Sequence, residues 1–129
     1  MLHETLHNYL RSVEDSLRRL DGVYVERYEE EVLTPTRFTL RIRVRFPTGA
    51  LLELNEAVVY IQGQKEHLRY RYHFQDRQNR LIFRYDNTPH FKTLEGFPHH
   101  KHLPDKVIGC DQPGIEHVIS EAGDIAQDH

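Results

Sequence analysis

The chain has 129 residues, of which 38% are hydrophobic and 29% charged, and a mean hydropathy of -0.69, which leaves room for one domain, residues 1–129, around a single modest core. Disorder is argued against by the 7 Tyr and 6 Phe, no run approaches the roughly 18 apolar residues of a membrane helix, Met1-Leu2-His3-Glu4 lacks a secretory pattern, and the lone Cys110 excludes an intramolecular disulfide framework and a thiolate zinc site; the expected location is cytoplasmic. The net charge of -3 is unevenly spread: residues 1–36 and 85–129 are acidic, whereas residues 37–84 hold 10 Lys/Arg against 4 Asp/Glu.

Leu2, Leu6, Leu10, Val13, Leu17 and Leu20 recur at helical spacing and predict an amphipathic helix over 2–20, stopped at Asp21-Gly22. The period then changes to two. Phe38, Leu40, Ile42, Val44 and Phe46 alternate with Arg37, Thr39, Arg41, Arg43 and Arg45, and Pro47-Thr48-Gly49 follows as a turn. Further strands are expected from Ala50 to Ile61, from Leu68 to Gln75 and from Leu81 to Tyr85, with an earlier one between Gly22 and Val32 whose alternation Glu29-Glu30-Glu31 blurs. Short turns join these runs, so the expected class is α+β: a five-stranded antiparallel meander over 23–86 with the N-terminal helix on its apolar face. A His-rich loop over 87–112, carrying Pro89, Gly96, Pro98 and Pro104, and a short helix over 113–122 complete the reading.

Alternation fixes what the sheet exposes. With Phe38, Leu40, Ile42 and Val44 inward, Arg41, Arg43 and Arg45 point outward, and the same logic sends out Arg69, Arg71, His73 and Arg84. Guanidinium groups bind phosphate in a bidentate manner and stack on bases, so this face suits a nucleic-acid backbone. The competing readings are a merely solvated face and cross-strand pairing with Glu26, Glu29, Glu30 or Glu31.

Two stretches carry the chemistry, Arg84-Tyr85-Asp86-Asn87-Thr88-Pro89-His90 and Phe97-Pro98-His99-His100-Lys101-His102. Metal-free RNA cleavage needs a base for the 2′-OH, an acid for the leaving 5′-oxygen and cations for the phosphorane, and histidine suits both proton roles. His100 or His102 is the candidate acid or base, Arg84 or Lys101 the charge stabiliser, Asp86 the orienter, and His73 a second proton-transfer residue; His99 completes the candidate group. Arg41, Arg43, Arg45, Arg69, Arg71 and Lys101 are the candidate RNA-binding residues. No cofactor is expected; the alternative is a divalent metal held by His100 and His102, or by His90 with Asp86. For any single histidine, turn capping or packing against Phe91 and Phe97 competes with these roles. Phosphate-cradling loops, nucleophile elbows and zinc-finger spacings do not occur.

Through Tyr70-Arg71-Tyr72-His73-Phe74, Leu81-Ile82-Phe83-Arg84-Tyr85-Asp86-Asn87, Pro89-His90 and Phe97-Pro98-His99-His100-Lys101-His102, the sequence resembles the TumE-type toxin family of prokaryotic toxin–antitoxin systems, a domain of unknown function. The resemblance covers nearly the whole chain. That family often has two histidines after the proline, and the second is Phe91 here. The resemblance implies a growth-inhibiting toxin, a cognate antitoxin encoded beside it and an RNA target. Together the residues and the resemblance lead to a toxin acting as a metal-independent endoribonuclease, with RNA and the antitoxin as partners, no membrane partner and a homo-oligomer compatible. The alternatives are a non-catalytic nucleic-acid-binding module and a protein-interaction component of a defence or regulatory complex.

Overall fold

In a computed structural model, residues 2–89 and 92–127 are described. The element order is α1 (Leu2–Arg18), β1 (Tyr24–Thr34), β2 (Arg37–Arg45), β3 (Leu51–Ile61), β4 (Gln64–Gln75), β5 (Leu81–Asp86), β6 (His100–Leu103), β7 (Lys106–Gly109) and α2 (Ile115–Gln127). The α+β class holds, but the sheet has seven strands in the order β1-β2-β3-β4-β5-β6-β7, each antiparallel to its neighbour, instead of five. The two additional strands lie inside the stretch 87–112 expected to be loop. Both are four residues long; β6 opens His-Lys-His, and the two apolar residues of β7, Val107 and Ile108, are adjacent and so on opposite faces, so no apolar alternation marks either strand.

The inner face of the sheet is built by alternation. Phe38, Leu40, Ile42 and Val44 of β2 are buried with Leu52, Leu54 and Val58 of β3, Tyr70, Tyr72 and Phe74 of β4, and Phe83 and Tyr85 of β5. Leu10, Val13 and Leu17 of α1 close over this layer, as do Ile115, Val118, Ile119 and Ala122 of α2. Full burial of each such side chain stabilises by about 1.5–3 kcal/mol, so the two helical stripes are what hold the helices on the sheet. Helix α1 ends at Arg18, where amides of Arg19 and Leu20 bond back to Ser16 and Leu17 carbonyls at 3.3 and 3.1 Å, and Gly22 takes a left-handed φ of 67°. Helix α2 runs to Gln127 rather than stopping at 122 because Ile125 and Ala126 still pack against the core.

Both helices lie on one face, which leaves the other face of the sheet open. Turn chemistry sets the register there: Gln62 and Gly63 both have positive φ (51° and 77°) in a two-residue turn between β3 and β4. Asp76 Oδ1 accepts the amides of Gln78 and Arg80 at 2.8 and 3.0 Å in the β4–β5 turn. After β5 the chain returns along the far edge, where the 92–99 segment lies so close to β7 that a Cβ on Gly109 would sit 1.9 Å from the Glu95 carbonyl oxygen.

Candidate functional site

The pairing register arranges the open face as cross-strand rows. One row reads Glu29, Arg41, Asn55, Arg71, Asp86, His100 across β1 to β6, and the next reads Arg27, Arg43, Glu53, His73, Arg84, His102. Neighbouring strands are about 4.8 Å apart, so Arg84 and Asp86 of β5 stand directly beside His102 and His100 of β6. The arginines, His73 and the paired histidines therefore share one surface, although 73 and 102 are far apart in sequence.

Asp86 is the hub. Its Oδ1 lies 2.7 Å from His100 Nε2 and accepts the Thr88 amide at 3.1 Å; its Oδ2 lies 3.3 Å from His102 Nε2 and 3.4 Å from Arg84 Nε. The carboxylate is buried, and a buried charge persists only when paired and hydrogen-bonded, which these four groups accomplish. His100 is 2% exposed, and its Nδ1 lies 3.0 Å from the Pro98 carbonyl oxygen. The Asp86 carboxylate and the Pro98 carbonyl are both acceptors and hold the ring from its two nitrogens. That makes it a brace between the loop and Asp86.

His102 is more open, with 17% of its side chain exposed and its ring 4.8 Å from that of His100. Burial and the Arg84 guanidinium hold its pKa below the ordinary histidine value, against the opposing pull of Asp86. His73 is lowered as well: burial acts first, the hydrogen bond with Gln75 opposes it, and the Arg71 and Arg84 charges add to the lowering. Its Nε2 lies 2.9 Å from Gln75 Oε1, an acceptor, which assigns hydrogen to Nε2 and leaves Nδ1 buried without a hydrogen-bond partner among the described residues. Thus Arg84 is flanked on one strand by His73 and on the other by His102.

Two expected members lie elsewhere. Lys101 alternates to the helix side of β6, where its Nζ lies 2.7 Å from Glu121 of α2 and stands over the Phe83 and Tyr85 rings. Burial lowers its pKa, but the hydrogen bonds to Glu121 and Tyr85 outweigh this and raise it. His99 stacks on Tyr70 and shares a 2.8 Å hydrogen bond with its hydroxyl, also on the inner side. His90, and with it the pairing of His90 and Asp86, lies outside the described residues.

The arginines divide into two sets. Arg43 and Arg45 each pair with Glu26, at 3.1 and 3.2 Å, as the cross-strand acidic reading expects. Arg41, Arg69 and Arg71 have no carboxylate partner among the described residues and line a groove of about 570 Å³ with Asn55, Asn87 and Thr88. Asn87 Oδ1 accepts the Tyr70 amide at 3.0 Å and ties the groove to the end of β5 beside Asp86. Sequence reasoning missed the Pro98 carbonyl, the Thr88 amide and Glu53, which alternation along β3 places on the open face between Arg43 and His73.

The cluster offers two kinds of chemistry. One carboxylate, two imidazoles and a guanidinium can bind an anion and move a proton beside it. The ligand atoms of Asp86, His100 and His102 also lie within 4.8 Å of one another, a donor set suited to a divalent cation.

Fold and site together define an α+β protein with a carboxylate–histidine–arginine cluster on the open face of an antiparallel meander. The sequence profile of the family described as Toxin TumE matches residues 10–127, and the chain belongs to that family. No curated protein and no solved structure matches significantly. Membership makes the protein the toxin component of a toxin–antitoxin system and implies a cognate antitoxin. Among the described residues no helix is long and apolar enough to cross a membrane.

Proposed function

We propose that this toxin is an endoribonuclease of the cytoplasm that cleaves RNA by histidine acid–base chemistry, without a metal, on the open face of its sheet. The observation that carries this reading is the row His73, Arg84, His102: a cation flanked by two imidazoles on adjacent strands, with Asp86 behind it. Arg41, Arg69 and Arg71, which have no carboxylate partner among the described residues, hold the RNA backbone in the adjoining groove. His102, oriented by Asp86 through Nε2, takes the 2′-OH proton. The 2′-oxygen attacks phosphorus, Arg84 neutralises the phosphorane, and the 5′-oxygen leaves with a proton from doubly protonated His73, whose Nε2–H turns from Gln75 to the leaving oxygen, forming a 2′,3′-cyclic phosphate and a 5′-hydroxyl. His100 is a positioning residue that holds Asp86.

Expression of the toxin alone should arrest growth, and His102→Ala should restore it while the purified variant keeps its wild-type fold and RNA affinity. Loss of affinity in that variant would point to the non-catalytic binding module. A metal reading draws support from the His100 Nδ1 contact with the Pro98 carbonyl, which is how a metal-bound histidine is usually oriented. Under that reading Asp86, His100 and His102 would hold the ion, whose chemistry there would be to activate a water, and cleavage would stop with chelator.

A further inference from the structure

The open face continues past the arginine groove into a second recess. Two β-bulges make it. The register skips Leu33 in β1, between Val32 and Thr34, and skips Leu68 in β4, where Ala57 pairs with Arg69 but Val58 pairs with His67. Each extra residue is a leucine left half in water, Leu33 at 54% exposure and Leu68 at 51%. Both line one recess of about 290 Å³, together with Thr39 and Ala57 of a single cross-strand row and with Arg37 and Arg69. Thr39, Leu68 and Arg69 also line the groove described above, so recess and groove are continuous.

An RNA strand has little use for such a recess. Sequence-tolerant binding of single strands relies on aromatic platforms for the bases, and apart from Arg37, Thr39 and Arg69 at its edge the side chains that enclose this one on the open face are aliphatic. A water-exposed pair of leucines is instead what receives an aliphatic side chain of a polypeptide. The charges beside it select the kind of polypeptide: Arg37, Arg41, Arg69 and Arg71 have no carboxylate partner among the described residues. We propose that the recess between Leu33 and Leu68 docks an acidic segment of the cognate antitoxin, which seats one large aliphatic side chain there and lays its carboxylates on Arg37 and Arg69. A segment so placed covers the entrance to the groove and excludes RNA from it. Docking rests on the recess and its charges, and only the competition with RNA rests on the ribonuclease reading.

The test uses overlapping short peptides that span the antitoxin encoded beside the toxin gene, titrated against the intact protein by fluorescence anisotropy. The expected binders are acidic and contain an aliphatic residue. Leu33→Ser, at a residue that lines the recess and not the groove, should weaken them by about tenfold to a hundredfold, the loss corresponding to one buried leucine contact, and Ala57→Leu, which fills the recess, should do the same. Neither variant should change the melting temperature or the affinity for a single-stranded uridine oligonucleotide. The proposal is overturned if no peptide binds, if the binders are basic, if both variants leave binding unchanged, or if the variants weaken RNA in place of peptide. Absence of RNA cleavage would sink the ribonuclease reading and leave these binding results standing.

Discussion

Replacing His100 by alanine should destabilise the fold far more than replacing His102, although the two are neighbours in sequence and share Asp86. His100 is 2% exposed and bridges the Pro98 carbonyl and the Asp86 carboxylate at 3.0 and 2.7 Å. Its removal deletes a hydrogen bond to a charged group, one to a carbonyl, and the packing of a buried ring, and leaves Asp86 short of a partner, for a combined cost of about 2–4 kcal/mol. At roughly 3–5 °C per kcal/mol for a chain of this size, the melting temperature should fall by about 6–20 °C. His102→Ala loses a longer contact from a more open position and should cost only about 1 kcal/mol. Thermal unfolding of both variants at neutral pH, followed by circular dichroism, decides the matter. Equal melting temperatures for the two variants, or a His100→Ala protein as stable as wild type, would refute the assignment of His100 as a brace.

Lys101→Gln should leave RNA affinity unchanged and lower stability by about 1–2 kcal/mol, because its ammonium serves Glu121 on the helix side; a fall in RNA affinity in a filter-binding assay would contradict this. Changing Arg41, Arg69 and Arg71 to Gln should weaken RNA and reduce the dependence of log K on log salt by roughly 0.7 for each arginine that contacts phosphate, whereas Arg43→Gln and Arg45→Gln, whose parents already pair with Glu26, should do less. An equal slope change in both sets would refute the division. Since His73 and His102 both titrate below 6.5, cleavage should follow a bell-shaped pH profile with its maximum on the acid side of 6.5. The same shifts act on stability: the unfolded chain binds these protons more readily, so their contribution is full above about pH 6.5 and is lost as pH falls through the lowered folded values. Melting temperatures that do not decline between pH 7.5 and 5.5 would count against it.

The sequence carried the middle of the sheet well, because residues 38–46 and 70–75 are buried on one side only and their period of two is the direct imprint of that burial, whereas Leu68, which continues the same period on paper, is turned out by a bulge to 51% exposure. It carried β6 and β7 poorly. His100-Lys101-His102-Leu103 buries an ion pair and a histidine instead of an apolar row, so the inner and outer faces are chemically alike on paper. For the same reason Lys101 reads as one more cation beside two histidines until the register places it on Glu121. Alternation did identify the side of the sheet on which Arg84, Asp86, His100 and His102 stand. Which of the two histidines is enclosed depends on the Pro98 carbonyl and the path of the 92–99 segment, which no periodicity reports.

The most direct test of the proposed activity is the chemistry of the RNA ends left by the purified toxin in excess EDTA. Fragments ending in 2′,3′-cyclic phosphate and beginning with 5′-hydroxyl, absent with His102→Ala, are the expected result. Intact RNA in EDTA, or cleavage that returns only with added divalent metal, would contradict the metal-free acid–base mechanism.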